Sequence, residues 1–110
     1  MVAYLLNMNN VFKALADESR RHLLDKLRKE DGLTLTQLCE GMSMSRQAVS
    51  KHLAILEQAN LVASIQEGRN KHHYLNAVPL QEIVDRWVGE FRQVQTRTLR
   101  QLKKNLEEPE

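Results

Sequence analysis

The segment Gly41–Leu56, G-M-S-M-S-R-Q-A-V-S-K-H-L-A-I-L, predicts a turn that launches a helix with two chemically different faces. At roughly 100° per residue with Val49 at zero, Ala48, Val49, His52, Leu53, Ile55 and Leu56 fall within an arc of about 160°. An apolar stripe that wide must be laid against other elements, so the helix belongs to a packed helical domain. Arg46, Gln47, Ser50, Lys51 and Ala54 share the opposite face. That face offers a guanidinium, an amide, a hydroxyl and an ammonium around one small residue. Such groups donate to guanine edges, pair with adenine and reach phosphates, while a small residue permits close approach. A polar helix face is ordinarily only a solvated one. Here a short helix and turn precede it and a basic hairpin follows, an order that predicts a DNA-recognition helix.

The flanking segments supply that order. Leu5, Met8, Val11, Phe12 and Leu15 follow the three-four spacing of a helix over Asn7–Ala16, with Tyr4 as an earlier start. Asp17 or Ser19 can cap a second helix carrying Leu23, Leu24 and Leu27 on its core side. Glu30, Asp31 and Gly32 then make a helix stop and a loop. Thr34-Leu-Thr-Gln37 fits a capping box opening a short helix with Leu35, Leu38, Cys39 and Met42 on one side. Ser45 is the natural cap of the next helix, which should end near Ala59–Asn60.

Leu61–Gln66 and Lys71–Ala77 read as short strands around a Glu67-Gly68-Arg69-Asn70 tip. Pro79 suits a first helical turn. Beyond it Ile83, Val84, Trp87, Val88, Phe91 and Val94, then Leu99, Leu102 and Leu106, predict one helix of about 30 residues. Its outer half has no apolar partner within one chain, and a second subunit would supply one. The expected fold is mainly α with a small β-hairpin: a winged helix-turn-helix of five helices and a two-stranded wing, in a single domain over residues 1–110.

Composition narrows the functional classes. The chain has 110 residues, of which 42% are hydrophobic, enough for one small core. Residues 1–40 and 78–110 are each charge-neutral, so the net +2 lies wholly within residues 41–77. The excess is small but sits where DNA contact is expected. Cys39 is the sole cysteine, which rules out an internal disulfide and fits a reducing, cytoplasmic setting. The apolar run Val2–Leu6 is too short to span a membrane and lacks the features of a signal peptide. Gly32, Gly41, Gly68 and Gly89 make no phosphate-cradling loop, and no nucleophile-base set can be placed, so no catalytic residue and no cofactor are expected.

A-L-A-D-E-S-R-R-H-L-L (Ala14–Leu24), S-R-Q-A-V-S-K-H-L-A-I-L (Ser45–Leu56) and L-V-A-S-I-Q-E-G-R-N-K-H-H-Y-L (Leu61–Leu75) together resemble the ArsR/SmtB-type bacterial repressors over nearly the whole chain. The resemblance implies a homodimer built from the first and last helices, residues 1–16 and 79–106, acting on double-stranded DNA at a palindromic operator. Its helix-turn-helix corresponds to residues 34–59 and its wing to 61–77. The expected DNA-binding residues are Ser45, Arg46, Gln47, Ser50 and Lys51 on the helix with Arg69, Asn70 and Lys71 on the wing. The expected dimer residues are Leu5, Met8, Phe12, Trp87, Phe91, Val94, Leu99 and Leu102.

Metal-sensing members of that family carry a Cys-x-Cys pair or last-helix histidines. The pair aligns with Thr34 and Thr36 here, which supply no thiolate, and the last helix has Glu82, Asp85 and Glu90 but no histidine. Adjacent strand residues face opposite ways, so His72 and His73 are not expected to clasp one ion. No metal site is expected, and Cys39 reads as a core residue. Trp87 and Phe91 read as packing residues, with a pocket for an unidentified small-molecule inducer as the sharper alternative. A metal- or thiol-responsive repressor of the same fold, and a protein-interaction winged helix without DNA binding, remain the competing readings.

Overall fold

The computed structural model describes the backbone of residues 2–89 and 92–107 and the side chains of residues 7–89 and 97–106. Its elements run α1 (Val2–Leu15), α2 (Glu18–Lys29), α3 (Leu35–Cys39), α4 (Arg46–Gln58), β1 (Val62–Glu67), β2 (Asn70–Leu75), α5 (Val78–Trp87) and α6 (Arg92–Glu107). The chain divides into two compact units, residues 1–80 and 81–110.

In the first unit the helix starts follow their caps. Asp17 accepts from the Arg20 N–H at 3.0 Å and opens α2. Thr34 and Gln37 make the expected capping box: the Gln37 N–H donates to Thr34 Oγ1 at 3.3 Å, and the Thr34 N–H donates to Gln37 Oε1 at 2.9 Å. The end of α4 is a Schellman motif with Asn60 in the left-handed region at φ 60°. The Leu61 N–H reaches Leu56 O and the Asn60 N–H reaches Glu57 O, both at 3.0 Å. Leu56 and Leu61 are fully buried, the apolar contact that accompanies such an end. Around them Val11, Ala14, Leu23, Leu27, Leu38 and Val49 complete a core that exposes almost no surface.

The strands pair antiparallel from Val62↔Leu75 to Glu67↔Asn70. Glu67 and Asn70 therefore belong to the ladder, and the tip is only Gly68 and Arg69. Gly68 takes φ 62° while Arg69 stays at negative φ, the pattern of a II′ hairpin turn. The loop before α3 contributes more than the sequence suggests. Leu33 bridges His73, with Gly32 N–H to His73 O at 2.8 Å and His73 N–H to Leu33 O at 2.9 Å, so the inner edge of β2 is covered.

The single long helix expected from Leu80 onward is not continuous. Helix α5 stops at Trp87, Val88 is in a turn, and helix resumes by Arg92. Gly89 stands at this interruption, where its high backbone entropy makes continued helix costly. On α6 Leu99, Leu102 and Leu106 are strongly exposed.

Candidate nucleic-acid interface

Before α4 the chain must reverse within a few residues, and α2 holds that reversal in place. Lys26 Nζ donates to Leu38 O at 2.9 Å and also to Glu40 O, satisfying carbonyls at the end of α3. Gly41 follows at φ 77°, a conformation that L side chains rarely adopt. Ser45 Oγ then accepts from the Ala48 N–H at 3.1 Å and starts α4.

Helix α4 buries Val49, Leu53 and Leu56, with Ala48 and His52 half-buried beside them. Ile55, at the rim of the predicted stripe, stays exposed. Ser45, Arg46, Gln47, Ser50, Lys51 and Ala54 are all exposed. Arg46 is tethered: its Nη1 donates to Thr36 Oγ1 at 2.9 Å, which ties the first turn of α4 to α3.

Between α3, α4 and the wing lies an open groove of about 360 Å³. Arg46, Ser50 and Ala54 line one side of it, and Arg69, Asn70 and Lys71 the other. Six residues singled out in the sequence thus converge on one space. Gln47 and Lys51 do not line it; they fall at about 160° and 200° on the wheel, just beyond Ala54 at about 140°. The groove is also lined by residues that the sequence reading did not assign to DNA contact, among them Thr34, Thr36, Glu57 and His73. Glu57 was within reach of that reading, because it falls at about 80°, between Arg46 and Ser50.

Glu57 is the acid of this groove. Its Oε1 stands 4.0 Å from Lys71 Nζ and 3.9 Å from His73 Nε2. His73 is buried at 4% exposure, and its Nδ1 is 2.9 Å from Leu33 O. A carbonyl only accepts, so Nδ1 carries the proton and Nε2 is left to face the carboxylate. His72 Nδ1 likewise donates to Gly32 O at 2.8 Å, with Nε2 3.8 Å from Glu67.

A second polar cluster ties α4 to the first two helices. Arg20 donates from Nε to Ala14 O at 2.8 Å and from Nη2 to Lys13 O at 3.0 Å. Its Nη1 lies 3.2 Å from His52 Nδ1, which must accept because guanidinium only donates. Arg21 adds Leu15 O at 2.7 Å. The end of α1 is therefore capped by two arginines from α2, which gives the D-E-S-R-R run a structural reason. Asp17 Oδ2 lies 3.9 Å from His52. The Arg20 backbone N–H holds the Asp17 carboxyl below its ordinary value, more than offsetting the opposing desolvation, with the Arg20 charge and the Ser19 backbone N–H adding to the effect.

The residues expected at a dimer seam differ in exposure. Met8 is buried within the first unit, whereas Phe12, Trp87, Leu99 and Leu102 are exposed. The side chains of Leu5 and Val94, and the whole of Phe91, lie outside the described residues. Arg86 Cζ stands 5.9 Å from the centre of the Trp87 ring. Cys39 is half-buried rather than enclosed. Among the described residues no group of three or more His, Cys, Asp or Glu side chains is placed to hold a metal ion. None of the described helices is long and apolar enough to cross a membrane.

A family model described as a helix-turn-helix domain matches residues 15–65. The transcriptional repressor SdpR of Bacillus subtilis is 37% identical, over 76% of this chain and 91% of that protein. YuzN of the same organism, an uncharacterized HTH-type transcriptional regulator, is 38% identical over 74% of this chain and 96% of its own length. An ArsR-like transcriptional regulator from Rhodococcus sp. RHA1 superposes with a TM-score of 0.70 at 29% identity, covering 100% of this chain and 99% of that one. The chain belongs to the ArsR/SmtB family of winged helix-turn-helix transcriptional regulators. Within that family fold, α3 and α4 are the helix-turn-helix and β1–β2 the wing of this regulator.

Proposed function

We propose that this ArsR-family regulator is a sequence-specific, double-stranded-DNA-binding repressor that acts as a homodimer on a palindromic operator. The supporting observation is the convergence of the exposed polar face of α4 with the wing cations on one groove. In this reading α4 enters the major groove, where Arg46 and Gln47 meet base edges and Ser50 and Lys51 meet bases or phosphate. Ser45 starts the helix against the backbone, and Arg69, Asn70 and Lys71 brush the minor groove or its phosphates. The two copies of α4, related by a two-fold axis, read half-sites about one helical turn apart. Residues 1–110 act as one domain, with α1 and the last helices forming the subunit contact. The reading assigns no catalytic chemistry, no cofactor and a cytoplasmic setting.

Footprinting on the DNA upstream of the protein's own gene, across a salt series, tests this. A protected two-fold site whose affinity falls steeply with salt is the expected outcome. Equal binding to every duplex, or none to any, refutes it.

A further inference from the structure

Three cationic side chains, Arg46, Arg69 and Lys71, border the groove between α4 and the wing, and one carboxylate, Glu57, stands among them. An acid placed against the DNA-facing surface opposes phosphate approach, so its position calls for a reason. Glu57 comes from α4, whereas both groups facing its Oε1, Lys71 and His73, come from β2. His73 is itself locked to Leu33 O through Nδ1, which leaves Nε2 aimed at the carboxylate. Two side chains of the wing's inner strand thus face one oxygen of the reading helix. Lys71, though exposed, has its ammonium 4.0 Å from that carboxylate.

We infer that Glu57 is a specificity-determining residue of the DNA interface: it sets the wing against α4 and occupies Lys71, so that a duplex of arbitrary sequence gains no phosphate contact from that ammonium. The inference rests on the DNA-binding reading above. On the operator, base contacts from α4 fix the wing against the duplex, which draws Lys71 off Glu57 onto a phosphate, so that contact is already made there. On random DNA no base contacts do this, and Lys71 stays paired with Glu57. Glu57 therefore lowers non-specific affinity more than operator affinity.

The test compares full-length wild type, Glu57→Gln, Lys71→Ala and the double variant on two duplexes of equal length, the footprinted operator and a random sequence, across a salt series. Glu57→Gln keeps shape and hydrogen-bonding capacity and removes the charge. It is expected to tighten random-duplex binding roughly five- to tenfold at about 0.1 M salt, and to steepen the salt slope by about one unit, the signature of one added phosphate. Operator affinity is expected to rise by a smaller factor and its salt slope to stay as in wild type, so discrimination falls. Adding Lys71→Ala to Glu57→Gln should return the random-duplex slope to its wild-type value, a reversal that loss of structural integrity cannot produce. The inference is overturned if Glu57→Gln leaves slope and random-duplex affinity as in wild type, weakens both duplexes alike, or keeps its gain without Lys71. Wild type that binds neither duplex sinks the DNA-binding reading and this inference together. Wild type that discriminates normally while Glu57→Gln matches it sinks this inference alone.

Discussion

At the scale of single residues, charge in this regulator is placed on backbone acceptors as much as on its surface. Arg20 and Arg21 close the end of α1, and Lys26 closes the end of α3. Asp17 works from the other direction, with its carboxylate accepting the Arg20 N–H at the start of α2. Because its carboxyl titrates lower in the folded chain than the ordinary value near 3.8, the ionised form favours folding. That contribution is complete above the unfolded value and is lost as pH falls through the folded one. Asp17→Asn should therefore flatten the fall in stability below about pH 4, read as urea-unfolding midpoints over a pH series; an unchanged acid limb would contradict it. On the reading face, Arg46→Ala or Gln47→Ala should each cost roughly 1–3 kcal/mol at the operator and blur base preference. Operator titrations in which both variants match wild type would remove these side chains from the interface.

At the scale of elements, the shortest helix depends most on its neighbours. Helix α3 has five residues, too few to persist alone, and it is held by its capping box at one end and Lys26 at the other. Thr34→Ala should destabilise the protein by about 0.5–2 kcal/mol in denaturant unfolding, and a value near zero would show that α2 and α4 hold α3 unaided. The wing presents a different balance, with an exposed two-residue tip on a strand whose inner side is covered by Gly32 and Leu33. Arg69 at that tip should act as a pure phosphate contact. Arg69→Ala is expected to weaken all duplexes alike and flatten the salt dependence by about one unit, and an unaltered slope would argue against it.

For the whole molecule, the contrast is between a first unit with a complete core and an α6 that leaves Leu99, Leu102 and Leu106 in the open. In the proposed dimer a second copy covers such surface. Truncation after Trp87 should then abolish both dimerisation, measured by sedimentation, and operator binding, since half-site spacing requires two copies of α4. A truncated chain that sediments as a dimer and still protects the operator would refute the assignment of the last helix.

Local chemistry was legible in the amino-acid order. Asp17, Thr34 with Gln37, and Ser45 each announce a helix start because a cap bonds across only three residues. The two faces of α4 follow from periodicity alone, and so does most of the candidate interface. Glu57 carried the same periodic signal, but its meaning did not, because its partners Lys71 and His73 lie on another element. The pairing of Leu33 with His73 and of Arg20 with His52 spans 40 and 32 residues respectively. Contacts at such separation leave no periodic trace, and only packing decides which side chains meet. The stop after Trp87 is a different case: the apolar stripe runs on through Val88 and Val94, and the one local signal against a continuous helix was Gly89. Caps, turns and faces were settled by bonds within a few residues; the joining of wing to reading helix was settled by the closing of the core.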